Sequence, residues 1–133
     1  MAHEARAKGT HVILGPTINM QRSPLGGRGF ESLSEDPVLA GLGAAALVNG
    51  IQDDDIVATI KHFVCNDQEH ERNGTDAILT DRALREIYCL PFQLVVRDSK
   101  PGCFMVRCFH ASISKSADLK LDGLQQDQWG SRQ

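Results

Sequence analysis

The chain has 133 residues, 41% of them hydrophobic, which suits one folded domain with one core rather than a disordered segment. Its 14 Lys and Arg against 17 Asp and Glu give a formal charge of -3, arguing against the basic face of a dedicated nucleic-acid binder. The longest mostly apolar run, residues 38–48, is too short to span a bilayer, is broken by Gly41 and Gly43, and reads as a buried helix.

Residues 1–8 are polar and charged where a secretory signal needs an apolar stretch, and read instead as the end of a helix that Gly9 can close. His11-Val12-Ile13-Leu14 predicts a short strand ended by Gly15-Pro16. A long loop follows over residues 19–30, where Pro24, Gly26, Gly27 and Gly29 accompany Gln21, Arg22, Ser23 and Arg28 without any regular period. Loops of that length in compact domains are often functional.

Ser34-Glu35-Asp36-Pro37 supplies cap oxygens, first-turn acids and an N1 proline, and Asn49-Gly50 a left-handed stop, so a helix is predicted over residues 37–49. Its small residues Gly41, Gly43, Ala44, Ala45 and Ala46 allow close approach to a sheet. After the turn at Asp53-Asp54-Asp55, Ile56-Val57-Ala58-Thr59-Ile60 is apolar on both faces, as expected of a parallel strand covered by helices. Lys61-His62 then emerges at the strand's C-terminal end, the edge where open-sheet and barrel enzymes bind ligands.

Thr80-Asp81 opens a second helix, with Leu84, Ile87, Tyr88, Leu94 and Val95 at broadly helical spacing, a kink at Pro91 and a stop at Pro101-Gly102. A strand over residues 103–106 closes the regular part. The order β-loop-α-β-loop-α-β is that of an α/β domain with a parallel sheet. From residue 107 the sequence turns polar, with one amphipathic turn around Leu119, Leu121 and Leu124.

Cys65, Cys89, Cys103 and Cys108 show no C-x-x-C spacing, and the first three sit in apolar patterns that predict buried thiols. Asp67, Glu69, His70 and Glu71 suggest a metal cluster, but His70-Glu71 lacks the second histidine of an H-E-x-x-H helix, so structural pairing within the loop is the better reading. Gly26-Gly27-Arg28-Gly29 fits neither the dinucleotide nor the P-loop pattern, which weakens a nucleotide-binding reading of the βαβ order. By residue type alone, Lys61 is equally a surface charge, and His62 and Met105 equally core residues.

Three motifs in order carry a resemblance: residues 14–37, which run from Leu14-Gly15-Pro16 through Gly26-Gly27-Arg28-Gly29-Phe30-Glu31 to Ser34-Glu35-Asp36-Pro37; Lys61-His62 through Arg72; and Asp81-Arg82-Ala83-Leu84-Arg85-Glu86-Ile87-Tyr88, continued by Leu90-Pro91-Phe92. Together they resemble the N-terminal barrel domain of glycoside hydrolase family 3, in its fungal β-glucosidase branch, over almost all of residues 4–106. The resemblance implies a partial (β/α)8 barrel of about three parallel strands and two crossover helices in residues 1–106, followed by a divergent, poorly ordered tail over 107–133. It implies retaining hydrolysis of terminal β-D-glucosyl units, with a β-glucoside or cello-oligosaccharide as partner, no cofactor, no nucleic acid and no membrane, and leaves oligomeric state open. It allows secretion of the full-length family, where Asn73 of Asn73-Gly74-Thr75 would be a glycosylation candidate.

By the same resemblance Arg28, Lys61 and His62 contact the non-reducing glucose, and Met105 lies beside it. Arginine's fixed fork of donors suits vicinal hydroxyls. A retaining glycosidase needs two carboxylates about 5 Å apart. The family's nucleophilic aspartate follows the next strand and its acid/base comes from a later domain, so neither maps onto this chain. Cys108-Phe109 also replaces the family's Tyr-Asn pair. The chain alone is therefore expected to be inactive, with a non-catalytic sugar-binding remnant as the alternative reading and open sheet edges that invite association.

Overall fold

The computed structural model describes residues 1–72 and 74–107. Asn73, Cys108, Phe109 and the turn at Leu119–Leu124 lie outside the described residues. Three strands form one sheet in the order β1 (Val12–Ile13), β2 (Val57–Phe63), β3 (Cys103–Val106), all parallel. Helix α1 (Ala2–Ala7) precedes β1, helix α2 (Pro37–Gln52) connects β1 to β2, and a helical run connects β2 to β3. That run comprises α3 (Asp81–Ala83), a π-helical turn over Leu84–Tyr88, and α4 (Leu90–Ser99). The result is the parallel α/β arrangement that the alternation of elements predicts, and it matches the partial TIM-like barrel that the family resemblance implies.

Helix α2 starts as its sequence dictates. Asp36 accepts hydrogen bonds from the Val38 and Leu39 amides at 2.7 and 2.9 Å, and Pro37 fills the first turn. It does not stop at Asn49-Gly50. Ile51 is buried against the core, and Asn49 Nδ2 donates to the Asp98 carbonyl at 3.3 Å, so Asn49 joins two helices instead of ending one. The left-handed residue comes later, at Asp55 with φ 60°.

Pro91 does not kink a continuous helix either; it occupies the first turn of α4, and the irregularity falls just before it as the π-turn. A left-handed Lys100, φ 51°, ends α4. Gln52 then ties both crossover helices together, donating to the Lys100 carbonyl at 3.2 Å and accepting from the Gly102 amide at 2.8 Å.

The core lies between the sheet and its helices, built from Ala44, Val48 and Ile51 of α2, Ile56, Ala58 and Ile60, and Leu84, Phe92 and Val95. Phe63, Phe92 and Phe104 close it at the C-terminal edge: Phe63 meets Phe92 edge-on at 5.0 Å and Phe104 edge-on at 6.4 Å. Cys65 and Cys89 are buried as expected, but Cys103 is exposed, because it opens β3, which lies at the edge of the sheet.

Candidate functional site

The Lys61-His62 pair does not follow strand β2; it lies within it. Strict alternation would send Lys61 and Phe63 to the same face and His62 to the other. Instead, the β2–β3 register is irregular between Lys61 and Phe63, and Phe63 packs into the aromatic cluster with Phe104, the partner of Ile60 on the core side. The break in alternation leaves two consecutive residues, Lys61 and His62, directed at the same loops. The peptides Lys61–His62 and Phe63–Val64 are cis.

Asn19 fixes His62 from the loop after β1. Its side chain donates to the His62 carbonyl at 2.9 Å and accepts from the His62 amide at 2.9 Å, both bonds buried. The Asn19 oxygen also lies 3.2 Å from His62 Nδ1, which assigns the proton to Nδ1 and leaves the Nε2 lone pair facing Arg28 Nη1 at 3.4 Å. Burial, then the charges of Arg28 and Lys61, lower the His62 pKa and keep its ring neutral.

Arg28 comes from the glycine-rich loop, whose turn at Gly29–Glu31 is held by Gln21 Nε2 donating to the Gly29 and Ser32 carbonyls at 2.8 and 2.9 Å. Gly26 permits that loop to close on its neighbour, since a Cβ there would lie 2.8 Å from the Asp67 carbonyl oxygen. Arg28 Nε pairs with Glu31, and its Nη1 reaches Glu69 at 3.4 Å. Glu31 also takes Lys61 Nζ at 3.1 Å and the Thr17 hydroxyl at 2.8 Å. Burial alone would raise the Glu31 pKa; the Thr17, Arg28 and Lys61 contacts outweigh it and hold the carboxyl at about 2. Burial opposes ionisation of Glu69 too, but Arg72, Asn66 and Arg28 hold it below the usual range.

The structure thus brings Arg28, Lys61 and His62 together, with Met105 opposite Lys61 in the neighbouring strand. Of these, Arg28 and His62 line, with Thr17, Met20, Glu31 and Asn66, a clear space of about 10 Å³, room for about one water. Sequence reasoning missed Glu31, Asn19 and Asn66; an acid three residues after Arg28 was the available signal for the first. Glu69 pairs with Arg28, Arg72 and Asn66, as loop pairing predicts. Among the described residues no cluster of three His, Cys, Asp or Glu is arranged to hold a metal ion.

A parallel α/β arc with a charge-balanced polar cluster at its strands' C-terminal ends defines a barrel-type α/β domain. The chain belongs to the family described as glycosyl hydrolase family 3 N terminal domain, whose model matches residues 1–121. Among its relatives, probable beta-glucosidase J of Neosartorya fischeri is 61% identical over 119 residues, covering 86% of this chain and 14% of the relative. Probable beta-glucosidase H of Emericella nidulans is 63% identical over 105 residues, 79% of this chain and 13% of that one.

Of the solved structures, the beta-glucosidase of Kluyveromyces marxianus in complex with glucose aligns with TM-score 0.78 and 57% identity, over 80% of this chain and 13% of that one. Beta-glucosidase 3B of Thermotoga neapolitana, also in complex with glucose, aligns with TM-score 0.82 and 45% identity, over 86% and 16%. The chain therefore spans about 14% of the length of the curated relatives it matches.

Proposed function

We propose that this chain supplies the wall of a β-glucosidase site that grips the terminal, non-reducing glucosyl unit of a β-glucoside or cello-oligosaccharide. The observation that carries this reading is the convergence of Lys61 and His62, consecutive in one strand, with Arg28 from the glycine-rich loop. Glu31 and Glu69 balance the two cations, which suits a neutral sugar better than a phosphate or carboxylate. Arg28 Nη1 has two long contacts of 3.4 Å, to His62 and to Glu69, and exchanging them for sugar hydroxyls gives hydrogen bonds of ordinary length. Lys61 donates to a second hydroxyl, and His62 Nε2, freed from Arg28, accepts from a third. Met105 faces the apolar edge of the ring.

Retaining hydrolysis requires a nucleophilic carboxylate and a carboxylic acid held protonated until it is needed. Glu31 and Glu69 are both held ionised by their cations, so they serve as counter-charges rather than as the acid. On this reading the bond-cleaving pair comes from the remainder of the β-glucosidase architecture, and the 133-residue chain binds sugar without cutting it. Backbone amide NMR of the folded chain during titration with glucose and cellobiose should show perturbations around Lys61 that vanish in Lys61→Ala. No perturbation there would overturn the binding role. Turnover of an aryl β-glucoside by the chain, abolished by Lys61→Ala, would overturn the division of labour.

A further inference from the structure

Glu31 touches three of the segments that build the site. One carboxylate oxygen pairs with Arg28 Nε of the glycine-rich loop; the other takes Lys61 Nζ of β2 at 3.1 Å and the Thr17 hydroxyl, from the loop after β1, at 2.8 Å. Its own backbone is fixed independently. The Ser32 amide donates to the Gly29 carbonyl at 3.2 Å to close the turn, and Gln21 holds that turn from outside. Thr17, buried, forms isolated bridges to Ser32 on one side and Lys61 on the other, so the hydroxyl that seats the carboxylate is itself locked between the two cation-bearing segments.

Without this carboxylate, an ammonium and a guanidinium would face the same imidazole with only Glu69 as counter-charge, and that contact is 3.4 Å long. Like charges so placed repel, and long flexible side chains relieve the repulsion by swinging toward water. We infer that Glu31 is a positioning residue of the sugar site: it does not touch the ligand, and it holds Arg28 and Lys61 at the separation at which both can donate to one sugar. The inference rests on the sugar-binding reading given above. It adds that the donor geometry is set before the ligand arrives, because the three groups on Glu31 are satisfied without it.

The test uses the full chain with Glu31→Gln, Glu31→Asp and Thr17→Val. Two quantities are read on each sample: the titration midpoint of the His62 imidazole by NMR, assigned by its loss in His62→Gln, and D-glucose affinity from amide perturbations. Removing the Glu31 charge should raise the His62 midpoint, since Arg28 and Lys61 swing toward water and no longer press their charges on the ring, whereas a fall would mean that both cations stay in place without Glu31. The same change should also weaken glucose binding by about tenfold or more. Glu31→Asp, which keeps the charge, should recover part of both. Thr17→Val should weaken glucose binding without moving the midpoint.

Weakened binding with an unmoved or lowered His62 midpoint in Glu31→Gln, or glucose affinity unchanged in that variant, would overturn the inference. If Glu31→Gln does not fold, an unchanged glucose affinity in both Glu31→Asp and Thr17→Val overturns it. A native chain that ignores glucose sinks the sugar-binding reading instead, while the direction of the His62 shift still decides whether Glu31 holds the two cations.

Discussion

Glu31 and Asp67 both lie in the loops at the C-terminal edge of the sheet, yet their surroundings move their protons in opposite directions. Three donors hold Glu31 at about 2, below its ordinary 4.5, so its stabilising contribution is complete above pH 4.5 and is lost as pH falls toward 2. Asp67 is largely but not fully enclosed, with Arg22 no nearer than 3.8 Å and one carboxylate oxygen lacking a hydrogen-bond partner among the described residues. Burial raises its pKa above 3.8 against the pull of Arg22 and Tyr88, so its contribution is complete below pH 3.8 and is lost as pH rises through the folded value. Urea midpoints measured from pH 2 to 7 should show Glu31→Gln losing its acid limb. Asp67→Asn should gain on the native chain as pH rises, and a loss at pH 7 would mean that Arg22 or Tyr88 needs the charge.

At the level of elements, α2 and α4 meet at a point set by one missing side chain. A Cβ on Gly41 would lie 2.8 Å from Leu94 Cβ and 3.0 Å from the Pro91 Cα, neither of which can swing aside. Gly41→Ala gains up to about 1 kcal/mol of helix propensity but forces the helices apart, an overpacking cost of about 1–3 kcal/mol. A lower thermal midpoint is therefore expected, and a rise would show that the helices can separate freely.

Much of this level was legible in the sequence, because Asp36, Pro37 and the apolar run at residues 56–60 act through local chemistry. The end of α2 was not, since only tertiary burial of Ile51 carries the helix past Gly50. Nor was the break in alternation inside β2, which a period-two pattern cannot express. Arg28, Lys61 and His62 could be named from the family resemblance, but Glu31 sits 30 residues before Lys61, a pairing that sequence spacing does not reveal.

Across the whole molecule, the sheet has two unlike faces. One carries Ala58, Ile60 and Phe104 into the helices. The other, by register, carries Val12 and Val57 side by side, with Leu14 just past the end of β1, and these three are exposed at 43%, 37% and 58%. An apolar strip with nothing over it among the described residues favours self-association, so sedimentation velocity should show mass rising with concentration, less so in Val12→Thr/Val57→Thr. A chain that stays monomeric at every concentration would contradict this. The same strip is also a chromatographic property. Retention on a mild alkyl resin in high salt should report how much of it is bare, and earlier elution after mixing with a polypeptide carrying further barrel strands would measure assembly with no catalytic assay at all.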